Sequence, residues 1–178
     1  MFQPMNNQEK NSYVRRQILH ALLDMMREQA FDSIPVSALT ERAGVGRASF
    51  YRNFASKEDV LRQEAERLTR EWTAEWQQHE PAAPNEFLIS LLNFYKHHAA
   101  FYLLLYQAGH AEIVLDTILK SAEITPELPN PAAYLKSAMA YMIYGWIIEW
   151  MRRGMQESGT ELAQMIDAAR AKNSAGGS

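Results

Sequence analysis

Apolar side chains recur three and four positions apart along almost the whole chain, and no run alternates apolar with polar residues between hairpin turns. A chain patterned this way buries its apolar surface by packing helix against helix, so the expected fold class is all-α. Glycines and prolines divide the pattern into about nine helices. With 178 residues, 47% of them hydrophobic, there is enough apolar surface for a core that needs neither metal nor disulfide.

The chain has no cysteine, which removes disulfide scaffolds, thiolate metal sites, thiol catalysis and iron–sulfur clusters together. The longest stretch without Asp, Glu, Lys or Arg runs from His97 to Ala111, 15 residues, shorter than the roughly 20 that a membrane span needs. The N-terminal MFQPMNNQEKNSYVRR carries no apolar segment behind its charges, so it does not read as a secretory signal. A cytoplasmic protein is expected.

The first helix is expected over about Ser12 to Gln29, where Val14, Ile18, Leu22 and Met25 form one stripe and Asn11 or Ser12 is a suitable N-cap. A short helix from Val36 to Ala43, a turn Ala43-Gly44-Val45-Gly46 and a second short helix from Arg47 to Asn53 make a helix-turn-helix. Ser56 precedes Asp59 by three residues and starts a long helix carrying Leu61, Ala65, Leu68, Trp72 and Trp76. That helix is expected to continue to about Gln78, before Pro81 and Pro84, and at 1.5 Å per residue to span roughly 35 Å.

Further helices are expected over about Asn85 to His97, up to Gly109, and over Ala111 to Glu123. Asn130 and Pro131 suit the start of another that ends near Arg153 with Gly154 as its stop, and Ser158 with Glu161 makes a capping box for a last helix ending near Ala171. The first 10 or 11 residues and the tail Lys172 to Ser178 read as disordered.

The helix from Pro131 is apolar nearly all round. Tyr134, Ala138, Tyr141, Met142 and Gly145 lie on one side; Met139, Ile143, Ile147 and Trp150 lie on another. Such a helix is buried on both sides, and in a short chain the second side is expected to face a partner subunit in a two-fold homodimer.

Formal net charge is −3, which argues weakly against a nucleic-acid partner until it is divided. From Lys10 to Lys57 there are eight Lys+Arg against four Asp+Glu, net +4; from Glu58 onward there are ten against sixteen, net −6; Glu9 supplies the remaining −1. An asymmetry of this kind is expected where one part meets a polyanion and the other does not.

The string from Ser37 to Leu61 contains Ala43-Gly44-Val45 at the turn, Phe50-Tyr51 with Phe54 behind them, then Ser56-Lys57-Glu58 before a long capped helix. It resembles the DNA-binding signature of the TetR/AcrR family of bacterial transcriptional regulators, over about residues 11 to 75. The segment Gly145 to Ser158 with Glu161 and Leu162 is similar to the last two helices of part of that family. There they form the dimer interface, which adds Leu162 and Ile166 to Met139, Ile143, Ile147 and Trp150 as interface residues.

The sequence departs from the family at Pro35-Val36, where a hydroxyl residue often begins the second helix, and at Gly46, which replaces the usual serine. Glycine is an acceptable N-cap, costing a few tenths of a kcal/mol at most.

A short helix from Arg47 to Asn53 can enter a major groove with its N-terminal residues nearest the bases. Arg47 can donate two hydrogen bonds to guanine, Ser49 can contact either kind of base, and Ala48 lies between them. Tyr51, Arg52 and Asn53 can reach phosphate, and Ser37 and Lys57 can hold the backbone on either side of the groove.

For the second half, the resemblance implies a small-molecule pocket whose occupancy changes the spacing of two recognition helices. Trp72, Trp76, Phe94, Tyr95 and His98 on the first helices, with Phe101, Tyr102, Tyr106, Met142 and Trp146 beyond, have the composition of a cavity lining. They equally have that of plain core. His97 and His98 point about 100° apart with no partner at i+4, so no metal or cofactor is expected.

The expected layout is a helix-turn-helix domain over residues 1–57, a helical effector-binding and dimerisation domain over 58–171, and a tail over 172–178. The expected function is a dimeric, cytoplasmic regulator, a repressor released from a near-palindromic double-stranded DNA operator by a small apolar or amphipathic ligand. The rivals are a regulator without an effector and a helical enzyme or carrier that keeps a helix-turn-helix only for packing. No nucleophile–base pair or phosphate loop supports an enzyme.

Overall fold

The computed structural model describes residues 7–80, 83 and 85–175. Among the described residues there are nine α-helices and no strand. No helix among them is long and apolar enough to cross a membrane.

Helix α1 (Asn7–Glu28) buries Ile18, Leu22 and Met25, the stripe read from the sequence. It starts five residues earlier than expected, so residues 7–11 are helical. A single 3-10 turn, Phe31–Ser33, turns the chain and buries Phe31.

Helices α2 (Val36–Arg42) and α3 (Arg47–Asn53) follow. Between them Gly44 takes φ +65°, and the N–H of Val45 reaches back to the carbonyl of Thr40 at 3.0 Å. A left-handed residue past the helix end lets the following N–H satisfy a carbonyl left open there, and glycine adopts it without strain.

Helix α4 (Lys57–Gln77) begins as the sequence indicated: the Asp59 N–H donates to Oγ of Ser56 at 3.2 Å. The prolines expected to stop it, Pro81 and Pro84, lie outside the described residues. Its inward face is Val60, Leu61, Ala65, Leu68 and Thr69. Helices α5 (Glu86–His97), α6 (Ala99–Gln107) and α7 (Glu112–Ser121) form a bundle with it.

Helix α8 (Asn130–Arg152) starts one residue earlier than expected, with Pro129 and not Asn130 as its N-cap and Pro131 in its first turn, and Gly154, φ +78°, lies just past its end. Helix α9 (Gly159–Ala175) starts on a reciprocal capping box: the Glu161 N–H donates to Oγ of Ser158 at 3.1 Å, and the Ser158 N–H to Oε2 of Glu161 at 2.7 Å. It runs four residues past the expected end, so residues 172–175 are helical, and the rest of the tail lies outside the described residues.

Packing follows the apolar faces. Helix α1 lies against α2, α3, α4 and α6; α4 packs on α7; α7 and α6 pack on α8; and α5 packs along α9. One continuous core results, passing from Phe50 and Leu39 through Leu61 and Ala65 to Tyr95, Leu105 and Ile147. Ion pairs Arg62–Asp116 and Lys120–Glu66 cross the α4–α7 seam.

The seam between the first three helices and the rest is closed at Phe31. The ammonium of Lys57 lies 4.5 Å from the centre of its ring and donates to its carbonyl at 2.8 Å, while His110, in the turn between α6 and α7, meets the same ring edge-on at 4.8 Å.

Candidate nucleic-acid interface

Helix α3 is two turns long and sorts its residues by direction. Phe50 is 0% exposed and Phe54, just beyond the helix, is buried beside it with ring centres 5.9 Å apart. The two aromatics anchor the helix in the core, where it lies against α1 and α2. Residues one position away then face outward: Arg47, Ala48, Tyr51 and Arg52 are exposed, and Ser49 and Asn53 are half-buried. The helix thus presents a cationic, hydrogen-bonding ridge to solvent.

The side chains on that ridge differ in how free they are. Arg47 has no carboxylate or hydrogen-bond partner among the described residues, and Tyr51 leaves its phenol in water. Arg52 is at the limit of hydrogen bonding to Oγ of Ser49, 3.5 Å. Asn53 does not point outward as expected: its amide nitrogen donates to the carbonyl of Ser49 at 2.8 Å, one turn back in its own helix. Ser37 is exposed at the start of α2.

Lys57 also differs from the sequence reading. Its ammonium, expected on a DNA phosphate, lies on the ring and carbonyl of Phe31. The 3-10 turn that puts Phe31 there is too short to show as periodicity.

The net +4 of this part is not all available to a polyanion. Arg42 forms a two-pronged pair with Glu28, at 2.5 and 2.6 Å, which holds the Glu28 carboxyl below the usual carboxylate range. Arg27 pairs with Asp24 at 2.6 Å. Lys10, Arg16, Arg47 and Arg52 have no carboxylate partner among the described residues, and they carry the positive field outward.

Residues 18–63 match the family described as "Bacterial regulatory proteins, tetR family". Over these residues the chain is similar to a tetR-family regulator domain. Its helix-turn-helix, α2 to α3, falls wholly within the match. No curated protein matches the chain. Among solved structures, that of Lin0861 from Listeria innocua is similar in fold with a TM-score of 0.75, at 18% identity over 95% of each chain. The fatty acid degradation regulator FadR from Bacillus halodurans is similar with a TM-score of 0.55, at 18% identity over 92% of this chain and 94% of that one. These likenesses extend the shared fold beyond the tetR-family domain to the helices that follow.

Those helices correct two expectations. Most of the residues grouped as a pocket pack on one another as core. Tyr95 and Tyr102 are fully buried with ring centres 4.7 Å apart, Phe94 packs edge-on against both, and Phe101 lies edge-on to Tyr102. Burial pushes both tyrosine hydroxyls well above their usual pKa, so they stay neutral. Trp72 stacks near Trp76 at 6.5 Å and donates from Nε1 to Ser90, while His98 sits edge-on to Phe94. Tyr106 is half-buried against the same core.

Of the ten, Met142 and Trp146 line an open groove of about 540 Å³ between α5, α8 and α9, where Phe87, Leu88, Met139 and Arg170 join them.

The expected dimer face is likewise largely internal. Ile147 and Trp150 are 0% and 2% exposed and pack inside their own chain, as do Ile143 and Ile166; Leu162 is half-buried and Met139 alone lies open. The uncovered side of α8 is the other one, with Tyr134, Leu135, Tyr141 and Met142, beside Met165 on α9.

Proposed function

We propose that the chain is a cytoplasmic, dimeric, sequence-specific DNA-binding transcriptional regulator acting as a repressor. Residues 1–57 serve as the DNA-binding part and residues 58–171 as the dimerisation part. The observation that carries this reading is the sorting of α3: Phe50 and Phe54 fix it from inside, and Arg47, Ala48, Tyr51 and Arg52 stand outward on a tetR-family domain. In a major groove Arg47 and Ser49 would read base edges, and Tyr51, Arg52 and Ser37 would hold phosphates.

Dimerisation is supported by the uncovered face of α8 and α9. Tyr134, Leu135, Tyr141, Met142 and Met165 form an apolar surface that a monomer would leave in water. A two-fold axis there would set two α3 helices side by side, and a near-palindromic operator with half-sites roughly 34–36 Å apart follows from such symmetry.

If a small apolar or amphipathic ligand releases the repressor, the groove between α5, α8 and α9 is the place for it, since it is lined by Met142, Trp146 and Phe87 beside the dimer face. The packed interior around Tyr95 and Tyr102 favours a second reading, a regulator whose C-terminal part only dimerises.

Selection of bound duplexes from a random pool tests the proposal. Convergence on a two-fold-related pair of half-sites about one helical turn apart supports it. Retention of unrelated sequences by the wild-type protein would refute it.

A further inference from the structure

Gln63 lies one turn beyond Asp59 on α4, and its amide is engaged on three sides. Nε2 donates to the backbone carbonyl of Asn53 at 3.2 Å and to Oδ2 of Asp59 at 2.9 Å. Its Oε1 accepts from the guanidinium of Arg15 on α1. The same Oδ2 of Asp59 accepts from the N–H of Ala55 at 2.9 Å, and the Arg15 guanidinium lies over the Phe54 ring, 5.5 Å from its centre. The three-residue link between α3 and α4 is therefore tied to α1 and α4 through one amide.

Asn53 is the last residue of α3, so its carbonyl is one of those that a helix end leaves without an intrahelical partner. Phe50 and Phe54 hold α3 against the core, but apolar burial has no preferred direction and tolerates a small rocking of so short a helix. A hydrogen bond is directional. Any tilt about the C-terminus of α3 displaces Arg47 at its other end, roughly 10 Å away at 1.5 Å per residue.

We propose that Gln63 is a positioning residue for DNA recognition, which fixes the tilt of α3 by holding the Asn53 carbonyl against α1 and α4. This rests on the reading of α3 as the recognition helix, and it asks for no contact between Gln63 and DNA.

Two variants test it on the full chain. Gln63→Leu keeps a good helix former but removes both donors and the acceptor; Gln63→Lys keeps a donor that reaches the Asn53 carbonyl and Asp59. The readout is the ratio of affinities for a duplex selected by the wild type and a scrambled duplex, at one salt concentration and well below the unfolding temperature. A change in overall charge or in folded fraction acts on both duplexes and cancels.

Gln63→Leu is expected to lower the ratio about tenfold, the size of one lost hydrogen bond, with binding to the scrambled duplex unchanged. Gln63→Lys is expected to retain it. An unchanged ratio in Gln63→Leu, even with a lower melting temperature, overturns the positioning role, as does an equal loss in both variants. A wild type that prefers no duplex instead defeats the recognition reading on which the role depends.

Discussion

Arg47 and Phe50 sit three positions apart on one short helix and do opposite work. Phe50 is wholly enclosed and sets which way the helix faces; Arg47 is exposed and has no partner among the described residues, which suits the base contact proposed for it. Truncating Phe50→Ala is expected to cost about 3–5 kcal/mol of stability, measured by denaturant unfolding, because a large ring leaves a cavity behind. Arg47→Ala is expected to leave unfolding unchanged but to lose about 1–3 kcal/mol of preference for the selected duplex, measured by competition with a scrambled one. Lys57 belongs with the first kind of residue. With its ammonium on the Phe31 carbonyl, Lys57→Met is expected to destabilise by about 1 kcal/mol, and an unchanged melting temperature would contradict that placement.

Among the elements, those set by local chemistry were legible in the sequence. The Ser56 cap on Asp59, the Ser158–Glu161 box and the stops at Gly44 and Gly154 involve neighbours three to five residues apart, and each lies where spacing put it. What spacing does not encode is which apolar face of a helix its own chain covers. Helix α8 is apolar on both sides; the Ile147 side is covered by its own chain and the Tyr141 side is not. The aromatic stripes of α5 and α6 had the same ambiguity, and they packed on each other instead of around a space. Long-range contacts such as Lys57 and His110 on Phe31 leave no periodic trace at all. One close approach between elements is open to test: a methyl group on Gly159 would come within 2.6 Å of the Leu92 carbonyl carbon on α5. Gly159→Ala is expected to push α9 off α5 and lower stability by about 1–3 kcal/mol in thermal unfolding.

At the scale of the whole molecule, the charge asymmetry and the uncovered α8–α9 surface fit the proposed function, in which the cationic end would meet DNA and the acidic body would bring two copies together. Met142→Glu with Tyr141→Glu is expected to yield folded monomers in sedimentation, with weakened binding to a two-half-site duplex and little change for a single half-site. Helical content that collapses along with dimerisation would show instead that this face is part of the fold. The most direct test of the central claim, that α3 reads sequence on DNA, is binding of the wild type and Arg47→Ala to selected and scrambled duplexes across a salt series. The wild type is expected to bind the selected duplex at least about a thousandfold more tightly than the scrambled one, with affinity for both falling steeply as salt rises, and Arg47→Ala to lose part of that preference. Equal, weak binding of both proteins to both duplexes would contradict it.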